Sequence, residues 1–307
     1  MAGQLNKLLL AAIAPSTKQS YTRAWKLFYE VMSTLNIPYE GVDSLPLSYQ
    51  QVLLFISFLI AKRYAPTTVI SYVSALSYAH KMSGVYDPCA VFAVQKALAA
   101  ATKISPTLDH RLPITLTILS SLTKSLDTTT VNPYLRSLFR AMYLVSFFAL
   151  MRVGEVTTNS SGFVTLKSDQ IKFYPTHVVL TIRHFKHNIT CQPVQLVLTK
   201  QQDPAICPVL ALNHYFHLRG TQLGPLFCFP DLKPVPRHFF IKNLKFNLNF
   251  CGLDTSLYQS HSFRIGGASF FASLGFSDEQ IRLLGRWKTT TFRIYIREQR
   301  LLTAIRS

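Results

Sequence analysis

Acidic side chains are scarce in this chain. Asp and Glu number 14 among 307 residues, against 32 Lys and Arg, for a formal charge of +18. Only 15% of residues are charged, so the surplus reflects missing acids and not a lysine-rich tail. Cysteine is also sparse: Cys89, Cys191, Cys207, Cys228 and Cys251 form an odd set with no CxxC. A disulfide framework or a Cys-rich zinc site is therefore not expected, and a reducing intracellular compartment fits. Long hydrophobic runs are missing too. The longest, Val52–Ala61 and Ala141–Met151, fall well short of the ~18 to 20 residues a helix needs to cross a bilayer. The opening MAGQLNKLLLAAIAPS has a faint signal-peptide outline in Lys7 and Leu8–Ala14, yet reads better as an apolar helix or arm running into Ser16-Thr17.

What is present is material for real cores. Hydrophobic residues make up 49%, which excludes a disordered or low-complexity chain. The length corresponds to about two domains of roughly 150 residues. A folded, strongly basic chain is most simply a binder of polyanions, nucleic acid first and anionic membrane second. The membrane reading rests on charge alone and lacks a basic amphipathic helix. His184-x-x-His187 and His214-x-x-His217 hint at a metal site, but no Cys or carboxylate stands at zinc-finger spacing from either pair. No cofactor or metal is expected.

The chain divides near KISPTLDHRLP, residues 103–113, which carries two prolines between helical patterns. This predicts domains over 1–105 and 112–307. Residues 1–110 hold 9 basic and 5 acidic side chains, net +4, and residues 111–307 hold 23 and 9, net +14. The first part reads as all helical, with apolar residues at three- and four-residue spacing through Tyr21–Leu35, Tyr49–Ala61, Thr67–Met82 and Cys89–Ala100. Ser16-Thr17, Ser48 and Pro66-Thr67-Thr68 supply start signals, and Gly84 and Pro88 punctuate. The second part is mixed. A long apolar helix over Tyr134–Met151 precedes three strand-like runs, Gly162–Phe173, His177–Phe185 and Pro193–Leu198, which predict a small antiparallel sheet. Helices follow at Pro208–Arg219, Arg237–Phe250, Ser262–Leu274, Asp278–Leu284 and Thr291–Ile305. Gly275 and Gly285 stand at cap positions, and Ser277-Asp-Glu-Gln280 has the form of a capping box. The fold class is thus mainly α with a small antiparallel β-sheet.

The last fifty residues carry the strongest local signal. His261-Ser-Phe-Arg264 opens a helix with the His and Arg on one face. Gly266 and Gly267 follow inside that helix, where they cost stability and so call for a packing or site reason. Then come Leu284-Gly285-Arg286-Trp287 and, eight residues on, Tyr295 between Arg293 and Arg297. Upstream, Ala149-Leu-Met-Arg-Val-Gly-Glu155 puts Arg152 at the end of a buried helix, where it needs a partner: Glu155 or a phosphate. Together these residue types suit a phosphodiester site. Paired arginines grip non-bridging oxygens through their planar forks, a histidine carries a proton, and a phenol beside positive charge serves as nucleophile.

These motifs resemble those of the tyrosine recombinase (phage integrase) superfamily. HSFRIGGAS with LLGRWKTTTFRIYIR is most similar to the branch carried by eukaryotic mobile elements of the DIRS and Crypton kinds. The resemblance covers almost the whole chain. It implies an N-terminal helical (SAM-like) core-binding bundle, followed by a mixed α+β catalytic domain. By resemblance, Arg152 matches the first family arginine, Lys186 the hairpin lysine between the second and third strands, His261 and Arg264 the HxxR pair, and Tyr295 the nucleophile. Trp287 matches the position that is His or Trp in the family. Arg286 takes the place directly after the glycine, so either Trp287 or Arg286 fills that role. The resemblance implies a site-specific DNA recombinase or integrase working without metal through a 3′-phosphotyrosyl intermediate. It would act on double-stranded DNA as a homo-tetramer, with two protomers per site. Lys62, Arg63, Lys81 and Lys103 are candidates for DNA contact and equally for a solvated face. The tail RLLTAIRS is amphipathic and suits docking on a neighbour or on its own domain. Two alternatives remain: a type IB topoisomerase-like relaxing enzyme and a domesticated, non-catalytic DNA-binding protein.

Overall fold

The computed structural model describes residues 12–37, 45–104, 110–158, 166–185, 192–294 and 296. The chain forms two compact units, Met1–Asp109 and His110–Ser307. Among the described residues, no helix is long and apolar enough to cross a membrane.

The smaller unit is helical: α1 (Pro15–Thr34), α2 (Tyr49–Ala61), α3 (Pro66–Met82) and α4 (Phe92–Ile104). Proline at the first helical turn starts α1 and α3, where a missing N–H costs nothing. In α1 this places the start ahead of the Ser16-Thr17 signal and of the pattern expected from Tyr21. Ser48 starts α2 with a full capping box, its hydroxyl accepting from the Gln51 N–H and the Gln51 side chain accepting from its own. The helix expected over Cys89–Ala100 is broken by a 3-10 turn at Pro88–Ala90, which Asp87 caps, and α4 begins only at Phe92. Phe28, Phe55, Leu59, Val69, Val73 and Leu76 form the core, with Phe28 and Phe55 edge to face at 5.3 Å.

The larger unit is built around α6 (Pro133–Phe148), capped by Asn132 and buried from Ser137 onward except at Arg140. It packs against α5 (Leu116–Thr129), α8 (Pro208–Arg219) and α10 (Ser262–Ser273). Helix α5 is not among the elements expected from the sequence. Its inward residues Leu119, Leu122 and Leu126 have helical spacing, and the Thr115 hydroxyl caps it. Its many Ser and Thr residues blur the pattern. Three strands, β1 (Ile171–Phe173), β2 (His177–Ile182) and β3 (Val194–Thr199), make an antiparallel sheet in the order β1-β2-β3. Of the first strand, expected over Gly162–Phe173, positions 162–165 lie outside the described residues, and Ser168–Gln170 winds into a 3-10 turn before the strand proper. Helices α7 (Val153–Val156), α9 (Arg237–Phe250) and α11 (Asp278–Leu284) complete the unit. Of the helix expected over Thr291–Ile305, the described part opens as a 3-10 turn at Thr290–Phe292. The architecture is mainly α with a small antiparallel sheet, as the sequence pattern indicates.

Candidate active site

Two helix ends create the site. Helix α6 stops at Phe148, and Leu150 turns left-handed at φ 48°, closing the end with a Met151 N–H to Ser146 carbonyl bond of 3.0 Å. Helix α11, started by the Ser277–Gln280 capping box, stops at Leu284. There Arg286 is the left-handed residue, φ 53°, and the Trp287 N–H returns to the Arg282 carbonyl at 3.0 Å. Gly285 itself has ordinary φ −80°. It is needed for a different reason: a Cβ there would stand 1.6 Å from the Trp287 ring. Gly275, by contrast, is the left-handed cap of α10 at φ 83°.

Helix α10 brings in Arg264. Its two interior glycines allow backbone-to-backbone contact: a Cβ on Gly266 would lie 1.8 Å from the Ile114 carbonyl oxygen, and one on Gly267 2.3 Å from that of Phe147. The helix is thereby pressed onto α6, and Arg264 has no exposed surface. Its guanidinium donates to the Leu150 carbonyl through Nη1 and to the Gly285 carbonyl through Nη2. The face of Trp287 lies over it, 3.9 Å from the guanidinium carbon.

Arg152 follows the end of α6 and precedes α7. Its Nη1 donates to Glu155 Oε1 at 3.0 Å, its backbone N–H to Oε2 at 2.9 Å, and its Nη2 to the Arg286 carbonyl at 3.3 Å. Glu155 is therefore its partner. The Arg152 side chain keeps 23% of its surface exposed, whereas that of Arg286 keeps 1%. Arg286 Nη2 reaches the other carboxylate oxygen of Glu155 at 2.7 Å, and its guanidinium also donates to the carbonyls of Ala149, Leu150 and Leu284. Of the two residues competing for the position after Gly285, Trp287 faces Arg264 and Arg286 is turned into the interior.

The electrostatics favour an anion. Burial works to raise the Glu155 carboxyl, but the charges of Arg286 and Arg152 and the Arg152 N–H hold it below its ordinary value. One carboxylate thus stands against the guanidinium groups of Arg152, Arg264 and Arg286. The negative ends of α6 and α11 hold these cations through their carbonyls. Because Arg264 is fully covered, an anion reaches it only after a covering group moves, and the Trp287 ring is one such group.

His261 is half-buried at the head of α10, one turn before Arg264. Lys186 and Tyr295 lie outside the described residues, as do His187, Cys191, Arg297 and the RLLTAIRS tail. The chain beside position 295 is well anchored. Phe292 and Ile296 are buried with Leu150, Ala268 and Ile281, and Arg293 Nε donates to Asp278 at 2.7 Å. The fold therefore gathers Arg152, Arg264 and Trp287, from 135 residues of sequence, around a hub the sequence reading named only as a possible partner, Glu155. The signal for that hub was the Arg-x-x-Glu spacing. Among the described residues, no group of three or more His, Cys, Asp or Glu could hold a metal ion.

No family model matches the chain, and no curated protein matches it. Solved structures do resemble it. A lambda integrase dimer bound to a COC' core site aligns with a TM-score of 0.60 at 15% identity, over 96% of this chain and 75% of that one. XerH site-specific recombinase, in a post-cleavage complex with palindromic difH substrate, aligns at 0.67 and 16% identity, over 94% and 78%. The Tn1549 transposon integrase, in complex with transposon right-end DNA, aligns at 0.64 and 10% identity, over 96% and 92%. Lambda integrase has also been seen as a tetramer on a Holliday junction.

Proposed function

We propose that this chain, which has the fold of the tyrosine recombinases, is a site-specific DNA recombinase. It would cut and rejoin duplex DNA through a covalent bond between DNA phosphorus and Tyr295. The observation that carries the proposal is the convergence of Arg152, Arg264 and Trp287 at the joined ends of α6 and α11. The likeness to recombinases held on DNA supports it, as does the +18 charge.

In this proposal the Tyr295 phenol oxygen attacks the scissile phosphorus, and the bond from phosphorus to the 5′ oxygen breaks. A 3′-phosphotyrosyl ester forms. The leaving 5′ oxygen takes a proton from Lys186, while His261 assists removal of the phenol proton. A 5′-hydroxyl from the partner strand then attacks the ester, reseals the backbone and returns the phenol. One ester is exchanged for another at each step, so the chemistry consumes no nucleotide and requires no metal-bound water. Arg152 and Arg264 stabilise the charge that grows on the non-bridging oxygens. Trp287 backs Arg264. Duplex DNA is the partner, and exchange of strands calls for four protomers, two at each site.

The test is covalent trapping. The protein is incubated in EDTA with nicked duplexes of random central sequence and run on a denaturing gel beside Tyr295→Phe. An adduct that forms in EDTA and vanishes with Tyr295→Phe is the expected result. Arg152→Ala and Arg264→Ala should each cut adduct formation by ~10²–10³ or more while leaving DNA binding largely intact. Tight, salt-sensitive DNA binding with no adduct from any sequence would instead identify a non-catalytic DNA-binding protein.

A further inference from the structure

We infer that Arg286 is a positioning residue, which sets the orientation and the available charge of Arg152 by way of Glu155; this rests on the recombinase reading of the site. Arg286 differs from Arg264 in that its fork is already committed to a carboxylate, and from Arg152 in that its side chain is buried. Its side chain is 1% exposed, and its terminal nitrogens are spent on Glu155, on the carbonyls of Ala149, Leu150 and Leu284, and on the Met151 sulfur at 3.5 Å.

Two routes run from Arg286 to Arg152. The first is the carboxylate. Glu155 Oε1 takes Arg152 Nη1, while Oε2 takes both Arg286 Nη2 and the Arg152 N–H. With both oxygens engaged, the plane of the carboxylate is fixed, and so is the fork of Arg152 that rests on it. The second route is the backbone, through the Arg286 carbonyl that accepts from Arg152 Nη2 at 3.3 Å. The left-handed turn at position 286 supports both, since it ends α11 and sends the guanidinium back under α6.

Charge gives a second reason. Arg286 neutralises Glu155, which leaves the charge of Arg152 for a ligand. Without Arg286 more of the negative charge of Glu155 would fall on Arg152. The arrangement is also not the one that best satisfies Arg286. A left-handed backbone is given to an arginine although glycine would adopt it freely, and its Nε is buried without a hydrogen-bond partner.

The test follows adduct formation by the full chain on a nicked duplex, in single turnover, across pH. DNA affinity and Tm are measured on the same preparations. The charged groups that act on Glu155 are Arg286, Arg152 and Arg264. Arg286→Met should slow adduct formation by about 10²-fold, as expected for a catalytic group displaced by about 1 Å. It should leave DNA affinity near wild type and move the acidic limb of the rate profile to higher pH, because Glu155 loses its nearest cation. Arg286→Lys, which keeps the charge without the fork, should keep the acidic limb in place and recover part of the rate. It also carries the test if the methionine variant does not fold. Wild-type rates in both variants, with an unmoved acidic limb, would overturn the inference and leave the recombinase reading standing. So would a parallel fall of rate, affinity and Tm that lysine does not relieve. A wild-type chain that forms no adduct would overturn the recombinase reading, and the inference with it.

Discussion

In the smaller unit the one fully buried polar side chain among the described residues is His80. Its Nε2 accepts the Leu47 N–H at 2.9 Å and its Nδ1 donates to the Leu76 carbonyl at 2.7 Å, so a single neutral tautomer satisfies both. In the larger unit Glu155, Arg219, Arg264 and Arg286 are all buried. Arg219 is a structural case: it draws together the carbonyls of Gly220, Gln222 and Pro225, which form the loop after α8. The other three meet at the joined helix ends. A buried neutral group needs only its hydrogen bonds, whereas buried charge remains expensive even when paired. Among the described residues, that cost is carried by the larger unit alone.

Several substitutions would break or sharpen this contrast. The largest effect is expected from Glu155→Ala, which strands Arg286 in the interior and should cost the larger unit about 3–5 kcal/mol. Calorimetry should show its transition fall while that of the smaller unit stays; equal movement of both would refute the assignment. Phe55→Ala is the mirror experiment. Phe55 is fully buried against Phe28, and its loss should cost about 3–5 kcal/mol in the smaller unit alone. Acid comes next and acts on both units, since Asp87 of the smaller one is also held below its ordinary value, against burial, by the Ser77 hydroxyl and the Cys89 N–H; Glu155→Gln isolates the share of the larger unit. The Glu155 carboxyl is held below its ordinary value, so its stabilisation is complete above the ordinary carboxylate range and is lost as pH falls through the lowered value. Thermal unfolding followed from neutral to about pH 3 should show the larger unit losing stability, with a flatter profile in Glu155→Gln. The smallest effect concerns helix starts. Ser48→Ala and Ser277→Ala remove one capping box each and should cost about 1 kcal/mol, the first in the smaller unit and the second in the larger. Losses well above that would show that these hydroxyls hold more than a helix end.

Helices with strong punctuation were legible. Tyr49–Ala61, Pro208–Arg219, Arg237–Phe250 and Asp278–Leu284 match the sequence reading residue for residue. Helix α5 was hidden because Ser and Thr, which favour caps and turns, occupy much of its length. Arg152 and Arg264 stand out by residue type and spacing, with Glu155 as a possible partner, whereas Trp287 rests on the resemblance, with Arg286 as its alternative. The two roles at the end of α11 could not. Gly285 looks like a helix cap, but its need arises from a ring two residues on, and the left-handed cap is Arg286. Nor can spacing show that the second oxygen of Glu155 belongs to an arginine 131 residues away. Those facts are set by where two helix ends meet, and local pattern does not encode that meeting.

The Trp287 stack has an optical consequence. The chain has two tryptophans, and each unit contains one. Trp25 sits in α1 beside Phe28 and Tyr29, at 5.7 and 5.9 Å, while Trp287 lies on a guanidinium at the candidate site. Indole emission responds to its immediate surroundings. A Trp25→Phe chain therefore carries a single built-in lamp at Arg264, whose colour and brightness change when the ring lifts, so that uncovering of the arginine can be watched in solution without any attached dye.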